Sequence, residues 1–476
     1  MLESGTHPRT CICRAPEDIG TNGFGLHDQR GSWTHSEFNI AVLSWHGWFA
    51  ARARRGDRVV ICLEQGRDSS AALLGAMRAG LIAVPVGVNS SPAHVQRVLT
   101  DCQPVLVVTK VPVFTNQTLL PVVCDANAPC VLLYTSGSTG KAKGVLAGHG
   151  QITFTIDAIH ERLGYASGDR VWCRLSTSFT YGLYQLHLCI RAGSELFIDT
   201  GGPISARGIA HMAKFQPTVV PMIPSDGPIW RANVASETAR SNIRLVTTSG
   251  EPMGTRLLSA VRQAFPSAQV IPMYGMTECI RITIQDEEGM RRFPESSGRP
   301  LRGVRVSVRD ANGDECSVGE AGGLFVSGEN LALAYWRDDE PDVFSEDEDG
   351  LRWLVTGDTG RLLGDGYVLV EGRNDDIFKS RGVRTSVGEI EQAALSIVGV
   401  DACALVPPSD DHGAKLFYVG QSMSETVEDA LIADLGQEKC PAEVIKVSSI
   451  PKTANGKADR HRLGELSSSA INAWEA

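Results

Sequence analysis

No stretch of this chain approaches the ~20 consecutive apolar residues that cross a bilayer, so no membrane span is expected. The N-terminal residues MLESGTHPRTCICRAPEDIG lack a basic segment followed by an apolar one, the pattern of a secretory signal. Positive charge is in deficit. Forty-five Lys and Arg against 55 Asp and Glu leave a net charge of −10, the wrong sign for a surface that neutralises a phosphate backbone, so no nucleic-acid partner is expected. Close cysteine pairs are almost missing. Of 12 cysteines only Cys11 and Cys13 lie near each other, at a spacing that suits neither a zinc knuckle nor a redox Cys-x-x-Cys. The scattered thiols read as reduced core filler in a cytoplasmic protein. Internal repeats and low-complexity linkers are lacking too. What remains is a chain of 476 residues, 42% hydrophobic and 21% charged, the profile of a globular protein with two or three domains, one of them large.

The first third alternates two periodicities. SEFNIAVLSWHGWFAARA has helical apolar spacing and precedes the short apolar run GDRVVICL; SSAALLGAMRAG reads as a helix ending at Gly80 before the strand LIAVPVG; SPAHVQRVLTDCQPVLVVTK repeats the order. Strands alternating with helices predict an α/β fold of parallel sheets covered by helices. After Gly298 the texture changes to alternating apolar residues with many glycines, as in GVRVSVRDANGDECSVGEAGGLFVSG, which predicts antiparallel structure. From about Asn374 a tail of roughly a hundred residues returns to strand, helix and strand. Its helix SVGEIEQAALSI has Ser386 as N-cap and Glu389 as the capping-box partner. The expected division is a large N-terminal domain over 1–374, with 298–374 β-rich, and a small α+β C-terminal domain over 375–476.

The apolar run CVLLY leads into YTSGSTGKAKG, Tyr134–Gly144. Glycines let backbone N–H groups converge on an anion, hydroxyls add donors and lysine adds charge. A nucleotide phosphate is the natural guest; a plain glycine-rich turn is the alternative. The Walker loop is excluded, because it places four residues between its first glycine and Gly-Lys, whereas only two separate Gly137 from Gly140.

The loop resembles the phosphate loop of the acyl-adenylate-forming superfamily, which contains acyl-CoA synthetases, nonribosomal peptide adenylation domains and firefly-type luciferases. Ala142 stands where the family pattern has proline. Further stretches match in order: YGMTE (Tyr274–Glu278), TGD (Thr356–Asp358), GRNDDIFKSRGVRTSVGEIE (Gly372–Glu391) and PKTANGKADR (Pro451–Arg460). The resemblance covers nearly the whole chain and implies that a carboxylate is joined to the α-phosphate of ATP with loss of pyrophosphate, then passed to a thiol. It implies that Thr135, Ser136, Gly137, Ser138, Thr139, Gly140 and Lys141 cradle phosphates, that Glu278 reaches Mg²⁺, and that Thr277 donates to the α-phosphate. Tyr274 is then placed against adenine, with Gly250, Glu251 and Pro252 of SGEPM along its other side; Asp358 takes the ribose hydroxyls, and Arg373 contacts ribose or phosphate. Lys457 is implied to be the catalytic lysine of adenylation, Asp375 a hinge about which the small domain turns, and Gly382 part of a pantetheine tunnel.

The resemblance places the acid pocket around Phe179, Thr180, Tyr181, Met222, Ser249, Met273, Gly275 and Arg281, with Tyr184 and His187 lining it or simply packing the helix. Relatives that activate α-amino acids carry an aspartate near Thr180, but no acidic residue lies between Asp169 and Glu195. An aryl or acyl acid is therefore expected over an α-amino acid, since a buried ammonium without a counter-charge is costly. Arg281 either faces the pocket or pairs at the surface. The acceptor is left between the phosphopantetheine of a carrier protein and CoA. A catalytically silent nucleotide-binding relative, and an adenylating enzyme with a non-thiol acceptor, are the alternatives.

Overall fold

A computed structural model describes residues 23–114, 125–136, 142–200, 206–227, 230–231, 242–251, 253–337, 343–373, 376–380, 383–409, 412–453 and 458–465. Helix His35–Ala50 starts where Thr34 and Glu37 close a reciprocal capping box. It buries Phe38, Val42, Trp45 and Phe49, one face at helical spacing, against helix Arg67–Arg78. The two helices approach closely at Gly75, where a β-carbon would sit 2.5 Å from Cβ of Trp45.

Two sheets carry the large part of the fold. One runs in the order Ala334–Tyr335, Ala142–Gly148, Pro129–Ser136, Ile82–Pro85, Arg58–Ile61, Leu106–Val108. Its last four members are parallel, as the alternating pattern predicts. Pro129–Ser136 and Ala142–Gly148 instead pair antiparallel, with Tyr134 opposite Gly144 and Thr135 opposite Lys143. The intervening residues are too few for a parallel crossover, which needs a dozen or more. The glycine-rich segment of the sequence thus lies between two strands that pair antiparallel.

The other sheet has nine strands among the described residues, in the order Arg299–Pro300, Thr283–Ile284, Gln269–Tyr274, Leu245–Thr248, Val219–Met222, Arg170–Cys173, Glu195–Ile198, Gly25–Asp28, Gly31–Thr34. It is parallel from Gln269–Tyr274 to Gly25–Asp28. One apolar cluster joins the two sheets through Val59, Ala83 and Val131 on one side and Val171, Val219 and Leu245 on the other. Helices His149–Leu163 and Thr180–Ala192 contribute Ile152, Ile156, Leu183 and Leu186 to it.

Asp169 clamps the nine-stranded sheet near the start of Arg170–Cys173. Its carboxylate accepts from the Ala166 N–H, the Thr218 hydroxyl and the Arg244 guanidinium. Burial alone would raise its pKa, but these donors hold it below the ordinary carboxylate value. The associated stability is present above the unfolded-state pKa and is lost as pH falls through the folded one. Asp169→Ala should lower stability by about 2–3 kcal/mol in urea denaturation at neutral pH, and the gap to the wild type should narrow in acid.

Past Gly298 the expected antiparallel structure is found. Val304–Arg309, Ala321–Gly328, Arg352–Leu362 and Phe344–Glu346 pair in that order, and Val368–Arg373 pairs with Arg352–Leu362. The C-terminal region places helices Val387–Ser396 and Ser424–Leu435 on a sheet of Val400–Val406, Lys415–Gly420 and Glu443–Lys446, with its own apolar cluster that includes Ile390, Leu405, Leu416, Tyr418 and Leu431. Ser386 caps its first helix by accepting the Glu389 N–H. The reciprocal half of the expected capping box does not form, because the Glu389 carboxylate is taken by the Thr385 hydroxyl and the Lys439 ammonium. No helix among the described residues is long and apolar enough to cross a membrane.

Candidate active site

Strands Val219–Met222, Leu245–Thr248 and Gln269–Tyr274 run parallel, with Met222 opposite Thr248 and Thr248 opposite Pro272. Open parallel sheets of this kind bind ligands outside the carboxyl ends of their strands. The YGMTE motif leaves the last of these strands at Tyr274. The Tyr274 hydroxyl donates to Asp358, 84 residues on. Burial first, then Asp358, holds the phenol well above its ordinary pKa, so it stays a donor. Asp358 lies mid-strand after Gly357, which has φ +74, and its N–H donates to the Thr356 hydroxyl at 3.0 Å. Arg373 is its cross-strand partner, with Nε 3.8 Å from the second carboxylate oxygen. Tyr274, Asp358 and Arg373 therefore form one polar group drawn from three motifs.

Glu278 is buried. The Tyr335 hydroxyl donates to its Oε1 at 2.9 Å, and the Lys143 ammonium lies 5.6 Å from the centre of the Tyr335 ring. Neither residue was legible as a site residue. Lys143 is the second lysine of KAKG, but Tyr335 lies in no motif and arrives only because Ala334–Tyr335 pairs with Ala142–Gly148. No cluster of three or more His, Cys, Asp or Glu that could hold a metal is found among the described residues. One buried carboxylate does fit Mg²⁺, a hard ion commonly held by one or two carboxylates and by substrate phosphates. Thr277 is half-buried beside Glu278.

The turn after the motif is wound tightly. A β-carbon on Gly275 would meet the Ile280 carbonyl oxygen at 2.4 Å and the Arg281 Cα at 2.9 Å. Ile280 has φ +63, a genuine outlier for a β-branched residue. The Asn330 amide braces the turn by donating to the carbonyls of Cys279 and Arg281 at 3.1 and 3.0 Å. The result points Arg281 inward. Its side chain is buried and donates to the Ser249 hydroxyl. Its guanidinium carbon lies 5.3 Å from the Tyr181 ring centre, and burial pulls its pKa below the usual value. The surface ion pair left open by the sequence does not form.

Tyr181 shares a 2.8 Å hydrogen bond with the Thr247 hydroxyl, in the first turn of a helix that Thr180 opens and Phe179 precedes. Tyr181, Thr247, Ser249, Gly275 and Arg281 thus converge, with Met222 and Met273 buried at the neighbouring strand ends. Gly250 follows Ser249 at φ +96, and Glu251 is half-buried beyond it. Tyr184 and His187 are buried, with Tyr184 in the main apolar cluster.

The Ser136 side chain, Gly137, Ser138, Thr139, Gly140, Lys141, Pro252, Asp375, Gly382 and Lys457 lie outside the described residues. The flanks of Lys457 are described. Lys452 bridges Ala458, and the Asp459 N–H donates to the Pro451 carbonyl at 2.8 Å. Arg460 donates to the Glu391 carboxylate at 2.8 Å and to the Leu405 carbonyl at 3.0 Å, tying the PKTANGKADR segment to the C-terminal sheet.

Two family models match the chain: "AMP-binding enzyme" over residues 19–123 and 114–336, and "AMP-binding enzyme C-terminal domain" over 389–457. Pyochelin synthetase PchF of Pseudomonas aeruginosa (strain UCBPP-PA14) is 29% identical over 442 residues, 85% of this chain. The chain spans 24% of the length of that relative. A 3-hydroxybenzoate–CoA ligase of Aromatoleum sp. (strain CIB) is 27% identical over 460 residues, 87% of either protein. The solved anthranilate CoA ligase AuaEII, in complex with anthranoyl-AMP, shares the fold with a TM-score of 0.84 over 98% of both chains at 22% identity. The chain belongs to the AMP-binding enzyme family.

Proposed function

We propose that this protein joins a carboxylic acid to ATP and then acylates a thiol. In the first half-reaction a carboxylate oxygen attacks the α-phosphorus, an acyl–O–P bond forms and pyrophosphate leaves. In the second, the phosphopantetheine sulfur of a carrier protein or CoA attacks the acyl carbon, AMP leaves with the bridging oxygen, and the thiol proton is released. The observation that carries this reading is the convergence of Tyr274, Asp358 and Arg373 beside the turn that bears Thr277 and Glu278.

In this reading Asp358 and Arg373 hold the ribose side of the nucleotide and Tyr274 lies against adenine. The loop from Thr135 to Lys141 holds the β- and γ-phosphates, and Thr277 orients the α-phosphate. Glu278 holds Mg²⁺, which when bound neutralises phosphate charge. Lys457 supplies a positive charge between the two reacting anions, where aimed charge acts on the transition state more than on the ground state. The proposed division at 374/375 makes 375–476 a mobile unit. Turning about Asp375 withdraws Lys457 and brings Gly382 to the thiol path. A plain carboxylic acid, aryl or acyl, is favoured over an α-amino acid, because the pocket presents the Arg281 cation and the helix beginning at Thr180 has no acidic residue in its first turn.

The test is acid-dependent pyrophosphate release over aryl, acyl and amino acids, followed by thioester formation with CoA or a phosphopantetheinylated carrier protein. Release with plain acids is expected. Acid-independent ATP hydrolysis alone would overturn adenylation, and a tenfold advantage for an α-amino acid over its plain counterpart would overturn the substrate preference.

A further inference from the structure

Among the described residues, Arg281 is a buried charge with no carboxylate partner. Two other well-covered arginines do have carboxylates: Arg67 pairs with Asp28 at 3.1 Å and Arg174 with Asp199 at 3.5 Å. Arg281 is only 4% exposed, and among the described residues it makes no ion pair with a carboxylate. Its polar contacts are the Ser249 hydroxyl and the face of Tyr181, and its Nε has no hydrogen-bond partner. Guanidinium does not lose its proton in proteins, so the charge is real. A buried, half-satisfied charge is costly unless something pairs with it.

The fold also strains itself to put this charge there. A β-branched residue at positive φ, braced by Asn330 and wound over a glycine that admits no β-carbon, precedes Arg281. Strain of this kind persists where the surroundings over-determine it and clusters at functional sites. The charge lies among Tyr181, Thr247 and Ser249 at the carboxyl ends of the parallel strands, the acid side of the proposed site.

We propose that Arg281, with Ser249, receives a second carboxylate on the acid that is adenylated, so that the substrate is a dicarboxylic acid activated at one end. This rests on the adenylation reading above. The guanidinium fork matches carboxylate geometry. The end that reacts loses its charge in the acyl-AMP, whereas the distal end keeps its charge through both half-reactions, so Arg281 holds the same partner throughout. The pocket thereby distinguishes the two ends of the acid: one meets the α-phosphate, the other the arginine.

The experiment compares matched acids: short aliphatic and benzene dicarboxylic acids against their monomethyl esters and monoacids of equal length, by pyrophosphate release with wild type and with Arg281→Met. Wild type should favour the diacid over its monoester by roughly 10²–10³-fold in kcat/KM, the scale of losing one partner of a buried charge pair. Arg281→Met should bring that ratio toward one. Its thermal midpoint without ligand should equal or exceed that of wild type, because an unpaired buried charge has been removed. A wild type that turns over monoacids and diacids equally overturns the proposal and leaves adenylation standing. A preference that survives in Arg281→Met overturns it as well, and a marked fall in the midpoint would make Arg281 a structural residue. Pyrophosphate release with no acid of either kind would count against both the proposal and the adenylation reading.

Discussion

Lys457→Ala should reduce acid-dependent pyrophosphate release by roughly 10²–10³-fold, the usual cost of removing one aimed donor from developing charge. Transfer of the acyl group from supplied acyl-AMP to a thiol should continue at close to the wild-type rate, because in the proposed mechanism the lysine has moved away by then. The two half-reactions are measured separately, by pyrophosphate release and by thioester formation, on protein whose circular dichroism matches wild type. The bracing of the flanking segment makes this variant informative. Lys452 and Ala458 still bridge, and Arg460 still reaches Glu391 and the Leu405 carbonyl. Truncating a side chain between those anchors leaves the anchors intact, so a defect confined to one half-reaction reports on charge. Equal loss of both half-reactions in folded protein would show that Lys457 does not leave between them, and the domain rotation would have to be withdrawn.

Gly275→Ala should be the most damaging single-methyl change in the site. The added carbon would lie 2.4 Å from a backbone oxygen and 2.9 Å from a Cα, and backbone, unlike the end of a flexible side chain, cannot step aside. Overpacking of this kind costs about 1–3 kcal/mol. Its effect on activity should be larger than on stability. Thr277, Glu278 and Arg281 all hang from the same turn, and a misplacement of about 1 Å can cost 10²-fold in rate. The expected result is a lower thermal midpoint with pyrophosphate release reduced by at least about 10²-fold in protein that remains folded at the assay temperature. Normal turnover with normal selectivity between mono- and dicarboxylic acids would show that the turn relaxes freely and does not hold the catalytic and recognition groups together.

Local residues by themselves determined much of this protein. Apolar periodicity marked the helices and parallel strands of the first third, Ser386 marked a helix start, and the glycine-rich texture after Gly298 marked antiparallel strands, because capping and periodicity act within a few residues of one another. The ordered motifs pointed to the family that the family models match. What only the tertiary structure decided is which of those side chains meet. The Tyr274 hydroxyl finds Asp358 across 84 residues, and Glu278 finds Tyr335 across 57. The strand pairings that bring them together are set by burial of whole sheets, which no local pattern encodes. Arg281 shows this most clearly. From sequence it could face the pocket or the surface. The choice was made by a positive φ at Ile280, a glycine with no room for a β-carbon and an asparagine 49 residues away holding the Arg281 carbonyl. Together they turn a charge inward, where a buried cation without a carboxylate is costly.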